Sequence, residues 1–126
     1  MIPFAPRALS QIALTVENVE VSLRFYRDVL GLPFLFAPGP ELAFLSIGGV
    51  RLMLTRPQGA GRPGANSILY FDVLDIVASH AAICGRGATS EREPALTARL
   101  PQGELWTSFL RDPDGNLLGL QELRAT

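Results

Sequence analysis

The sequence predicts an α+β domain: two tandem βαβββ modules whose strands form a curved mixed β-sheet trough with the helices outside. Three observations predict it. A strand, a helix and three further strands occur in the same order twice along the 126 residues. The two runs align residue by residue: Val16 with Val73, Asn18 with Asp75, Val19 with Ile76, Ser22 with Ser79, and further on Phe44-Leu45 with Phe109-Leu110 and Leu52-Met53-Leu54 with Leu118-Gly119-Leu120. Finally, one helix can cover only one face of each strand set, so the other face needs a partner and curls into a trough.

The elements follow in order. Gln11–Val16 alternates as a half-buried strand does, and Val21–Leu32 carries apolar residues at helical spacing, Val21/Phe25/Val29 and Leu23/Tyr26/Leu30. Gly31 closes that helix and Pro33 keeps it from resuming. Pro33–Ala37, Leu42–Ile47 and Val50–Thr55 read as strands, the last two joined through a Gly48-Gly49 hairpin turn. The Gly/Pro-rich run Gln58–Asn66 is the one boundary, so that module one spans about 8–57, the linker 58–66 and module two about 67–124 of a single domain. Beyond it come a strand at Ser67–Val73, a helix at Ile76–Gly87, short strands at Ala88–Ser90 and near Leu96–Leu100, and strands at Leu105–Arg111 and Leu117–Leu123. Arg92–Glu104, with Pro94, Pro101 and Gly103, reads as a loop over the trough mouth.

Composition excludes several classes. The chain is 48% hydrophobic and 18% charged with a formal net charge of −1, which argues against both a disordered tail and a nucleic-acid partner. No apolar run reaches the ~20 residues that span a bilayer, so no membrane association is expected. A single cysteine, Cys84, points to a reducing compartment and a cytoplasmic location. Cys84 reads as a buried, inert thiol, and the sole histidine, His80, as a surface residue on the same helix face.

The segments SQIALTVENVEVSLRFYRDVLGLPF, GGVRLML, SILYFDVLDI and FLRDPDGNLLGLQE together resemble the vicinal oxygen chelate superfamily, which includes glyoxalase I, bleomycin-resistance proteins and extradiol dioxygenases. The resemblance covers about Leu9–Leu123, and its FYRDVLGL and DPDGN motifs build the fold rather than specify a reaction. It implies a homodimer, with each trough closed either by modules paired across two chains or by the two modules of one chain. It also implies a divalent-metal site in the catalytic members, with one trough-facing ligand on each of the first, fourth, fifth and last strands. The matching positions here are Gln11, Met53, Ile68 and Gly119, and the internal repeat relates Gln11 to Ile68 and Met53 to Gly119. One amide, one thioether, one aliphatic chain and no side chain do not make a site for a hard or borderline divalent ion. No metal or other cofactor is therefore expected, and no catalytic residue is assigned.

Strand alternation adds the other trough-facing residues. The expected ligand-binding set is Gln11, Thr15, Arg51, Met53, Ile68, Tyr70, Asp72, Gly119 and Gln121, with Gly119 leaving room for a ligand and Trp106 either an aromatic wall or, equally, a core or dimer-interface anchor. The expected function is metal-free binding, by sequestration or carriage, of a small, partly apolar molecule, as in bleomycin-resistance members. Two alternatives stand beside it. One is a divergent metal-dependent glyoxalase- or dioxygenase-like enzyme, in which a one-residue register slip brings Glu122 into the trough or His80 serves as a ligand. The other is a regulatory or structural dimer whose trough is vestigial and filled by its own side chains.

Overall fold

A computed structural model describes residues 2–57 and 61–125; residues 58–60 of the expected linker lie outside them. Module one contains β1 (Gln11–Thr15), α1 (Val19–Arg24), β2 (Phe34–Gly39), β3 (Leu42–Ile47) and β4 (Val50–Thr55). Module two contains β5 (Leu69–Asp72), α2 (Ile76–Gly85), β6 (Thr89–Leu100), β7 (Gly103–Arg111) and β8 (Leu117–Ala125). Each forms a four-stranded mixed sheet, ordered β1-β4-β3-β2 and β5-β8-β7-β6, in which the first strand runs parallel to the last. The fold is thus α+β, as the repeat implied.

The aligned pair Asn18 and Asp75 has a local cause. Both are N-caps in extended backbone, and their side chains accept from Val21 N at 3.0 Å and Ala78 N at 3.1 Å. After Arg24 the first helix widens into a single π-helical turn over Phe25–Val29, closed by Leu30 N to Phe25 O at 2.9 Å. That turn lets the adjacent residues Phe25 and Tyr26 both be buried, whereas Val21 is exposed. Regular helical spacing would have placed Val21 on the buried face.

The buried residues form one cluster. Leu14, Leu45, Leu52 and Leu54 of the first sheet meet Leu110, Leu118 and Leu120 of the second, with Tyr26 and Ile76 from the helices. Two expectations are corrected here. Arg92–Glu104 is not a loop: β6 runs through it to Leu100 and β7 begins at Gly103. Pro94 is tolerated because β6 is an edge strand, and the pairing shifts register on either side of Arg92. His80 and Cys84 also exchange roles. The imidazole is buried on α2, its ring nitrogens 2.8 Å from Ser108 Oγ and 2.9 Å from Ser90 Oγ, while Cys84 is only partly covered. The two serine hydroxyls are what make burial of the imidazole affordable. Burial, and then the charge of Glu93, push the Cys84 thiol up, which suits an unreactive cysteine. Among the described residues no helix is long and apolar enough to cross a membrane.

A polar network ties the modules together. Tyr26 donates to Asp112 Oδ2 at 2.7 Å, and the same carboxylate accepts from the backbone N–H groups of Asp114 and Asn116 and from Asn116 Nδ2. Asn66 extends it by donating to Asn116 Oδ1 at 3.0 Å and exchanging hydrogen bonds with the backbone of Thr15 on β1. Burial holds the Tyr26 phenol well above its ordinary range, and the Asp112 charge adds to the effect. Asp114, which accepts from Glu17 N at 3.3 Å, has its carboxyl pushed up, first by burial and further by the charges of Asp112 and Glu17.

A pH dependence follows from Asp114. A carboxyl whose folded pKa is raised binds its proton more tightly folded than unfolded. Its favourable contribution is therefore present below the ordinary carboxylate range and lost as pH rises through the raised value. Asp114→Asn keeps an acceptor for Glu17 N–H and removes the charge. It should raise the melting temperature near pH 7 and give no gain at about pH 3, where the aspartate is already protonated. Thermal scans at the two pH values would show this, and an equal shift at both would disprove it.

Candidate functional site

The two outward sheet faces carry the candidate site. On module one, the four strands read QIALT, FLFAPG, LAFLSI and VRLMLT, and Arg51 is the one charged residue among them. The parallel register sets Gln11 beside Arg51 and Ala13 beside Met53, while β3 sets Phe44 opposite Met53 and Ser46 opposite Arg51. The Gln11 amide is used at both ends: its oxygen accepts from Arg51 Nε at 2.8 Å and its nitrogen lies 3.7 Å from Met53 Sδ. The Arg51 guanidinium lies 5.0 Å from the Phe44 ring centre, and Phe36 stacks on Phe44 at 4.7 Å. Beside Arg51 opens a cleft of about 330 Å³ lined by Ser10, Leu35, Ser46, Gly48 and Gly49.

On module two the same layer is built with the bulk exchanged. Tyr70 pairs with Gly119 as Ala13 pairs with Met53, and Phe109 lies opposite Gly119 as Phe44 lies opposite Met53. A Cβ at Gly119 would sit 2.5 Å from Cδ2 of the Tyr70 ring. The ring therefore lies across the glycine, edge-to-face with Phe109 at 5.8 Å. This corrects the expectation that Gly119 leaves room for a ligand: the space belongs to Tyr70. Arg92 lies 4.8 Å from the Phe109 ring centre and donates to Thr107 Oγ1 at 2.8 Å.

The other expected residues divide. Tyr70 and Asp72 line a cleft of about 700 Å³ between the modules, together with Leu30, Pro33, Ile47 and Val73. Ile68 lines a smaller opening with Ile12, Val50 and Tyr70. Arg51 bonds to Gln11 rather than pairing with Asp72. Gln121 pairs in register with Asp72 and Thr107, while Thr15 is buried beside Thr55. Trp106 lies on the opposite face from Thr107 and Phe109, opposite Glu122, where it packs on the core under Arg124. The single-residue alternation of β7 puts it there, so it does not wall the trough. Glu122 is likewise on the helix side, accepting from Ile76 N at 2.9 Å at the start of α2. His80 faces Ser108 and Ser90 on that same side. Phe44, Phe109 and Arg92 lie on β3, β7 and β6, outside the four strands that carry the metal-matching positions. The repeat itself had already aligned Phe44 with Phe109.

The model of the Glyoxalase/Bleomycin resistance protein/Dioxygenase superfamily matches residues 8–120. The chain belongs to that superfamily. Among solved structures it is similar to TnmS3, an antibiotic-binding protein from Streptomyces sp. CB03234, with 25% identity, 96% of this chain and 99% of that chain covered, and a TM-score of 0.81. It is also similar to lactoylglutathione lyase from Agrobacterium tumefaciens, with 25% identity, coverage of 93% and 94%, and a TM-score of 0.71. A glyoxalase/bleomycin resistance protein/dioxygenase from Alicyclobacillus acidocaldarius shares the fold at 18% identity, coverage of 95% and 94%, and a TM-score of 0.71.

The divalent metal implied by catalytic members of the superfamily does not fit the residues at the four matching positions. The Gln11 oxygen already accepts from a guanidinium, whose charge repels a second cation. Met53 offers a soft thioether and Ile68 no donor atom, and Gly119 lies under the Tyr70 ring. Among the described residues no group of three or more His, Cys, Asp or Glu side chains is placed to hold an ion. The geometry offers instead aromatic rings, neutral hydrogen-bonding groups and two guanidinium groups.

Proposed function

We propose that this chain is a metal-free small-molecule-binding member of the superfamily, which sequesters or carries a partly apolar ligand on its trough faces. The observation that carries this reading is the state of the four metal-matching positions. Gln11 is bonded to Arg51 and Met53, Gly119 is covered by Tyr70 and Ile68 has no donor atom, so no ligand set is left for an ion. Rings beside neutral polar groups, next to clefts of about 330 and 700 Å³, are the usual makings of a small-molecule site. Identity is the same 25% to the antibiotic-binding TnmS3 and to a lactoylglutathione lyase, but the TM-score is higher for TnmS3, 0.81 against 0.71, which supports the same reading. Gln11, Arg51, Met53, Ile68, Tyr70, Asp72 and Gln121 are the ligand-facing residues, with Phe44, Phe109 and Arg92 added.

The working form is a cytoplasmic homodimer. Phe34, Leu35, Phe36, Ile68, Tyr70 and Leu123 are each between 42% and 50% exposed in the single chain, apolar surface that a second copy could cover. Light scattering after size exclusion should give twice the chain mass.

The deciding experiment is elemental analysis of the purified protein before and after incubation with Ni²⁺, Zn²⁺, Fe²⁺ and Mn²⁺, alongside a thermal-shift screen of aromatic compounds. Substoichiometric metal with a compound that raises the melting temperature is the expected result. Stoichiometric metal removable by chelator would replace this reading with that of a metal-dependent enzyme. No metal and no compound would favour a vestigial trough, a reading already supported by the Tyr70 ring lying over Gly119. Trp106 fluorescence is a poor reporter for such a screen, because the indole lies on the helix side of β7.

A further inference from the structure

We infer that the cleft beside Arg51 is an anion subsite and that the ligand is a small aromatic acid, with a carboxylate or sulfonate carried on a flat apolar body. This rests on the binding reading above and adds the chemical class.

Arg51 is held in place but not neutralised. One donor, Nε–H, is used on the Gln11 amide oxygen, and the guanidinium plane is supported by the Phe44 ring. Among the described residues its two Nη groups make no hydrogen bond, and no carboxylate lies within 4 Å. Six other arginines, Arg24, Arg27, Arg56, Arg99, Arg111 and Arg124, each have such a partner. The strands around Arg51 contain no acidic residue at all. A positioned, unpaired guanidinium on an otherwise uncharged sheet keeps four N–H donors in a planar fork, the geometry that recognises an acid group.

The surroundings fit the rest of such a molecule. The cleft of about 330 Å³ offers the Leu35 side chain for apolar contact, and Ser46, opposite Arg51 in register, already donates its hydroxyl to Gly48 O at 3.2 Å, so that the guanidinium is the donor an acid group would meet. The bare backbone of Gly48-Gly49 lets a ligand approach closely. Next to it, the half-exposed Phe36 ring, stacked on the buried Phe44 ring, supplies an aromatic surface against which a flat body can pack.

The test compares two fluorescent probes of similar apolar body, the anionic 1-anilinonaphthalene-8-sulfonate and the neutral N-phenyl-1-naphthylamine, on the full chain and on Arg51→Gln. The expected result is tighter binding of the sulfonate by the wild type. Arg51→Gln should weaken the sulfonate by about tenfold or more and leave the neutral probe unchanged. Raising the ionic strength should reduce the sulfonate preference. Equal affinity for the two probes, or a sulfonate affinity indifferent to Arg51→Gln, would overturn the anion subsite and leave the binding reading intact. An equal loss of both probes in the variant would do the same. Binding of neither probe by the wild type would overturn both. Arg51 is exposed, so the variant keeps the fold, and an unchanged melting temperature would establish that it has.

Discussion

Asp112→Ala is expected to destabilise the chain by about 4 kcal/mol or more, because it orphans several buried donors at once. The carboxylate is buried and accepts from the Tyr26 hydroxyl, two backbone N–H groups and the Asn116 amide. Each donor left without a partner costs about 1–3 kcal/mol. Asp112→Asn retains an acceptor oxygen and should cost less, and Tyr26→Phe removes one bond from the set and should cost less again. Urea denaturation of the three variants would rank them. A loss below about 1 kcal/mol for Asp112→Ala would mean that water replaces the carboxylate at no great cost and that the network does not hold the modules together.

Gly119→Glu is the second large effect expected. It places a carboxylate at one of the four metal-matching positions, where the first side-chain carbon already collides with the Tyr70 ring. Displacing the ring and seating a carboxylate beside Phe109 should together cost about 3 kcal/mol. Tyr70 is half exposed, so its ring can be deleted without opening the core. In a Tyr70→Ala background the same substitution should therefore recover at least about 1 kcal/mol, a coupling that a double-mutant cycle reads directly. Additive losses would show that the ring is not what excludes a side chain there.

How far the sequence disclosed this molecule depended on whether a feature was periodic or relational. The alternation of Leu42–Ile47 and Val50–Thr55 marked β3 and β4 to the residue, and the repeat linked Asn18 to Asp75 before either was known to cap a helix. Edge-strand β6 is not legible as one strand, because Pro94 and three register shifts erase its alternation. The same shifts concealed which face Arg92 occupies. The metal-matching positions could be placed by alternation, but what fills the space above Gly119 could not. That required the parallel β5–β8 register, which sets Tyr70 beside it, and nothing local to either strand records that pairing. Burial of His80 is illegible for a related reason: its serine partners are 10 and 28 residues away.

The network joining Tyr26, Asn66, Asp112 and Asn116 has a consequence for how the chain can be divided. Its hydrogen bonds cross from the helix and first strand of one module to the DPDGN turn of the other. A polypeptide ending after β4 would present the Tyr26 hydroxyl to water, and one beginning at the linker would present Asp112 with an acceptor to spare. Each half is thus an incomplete solute with a partner-shaped deficit. The two fragments, expressed separately and mixed, should reconstitute one another, and the strength of that complementation would report how much of the domain's cohesion crosses the boundary between the two repeats.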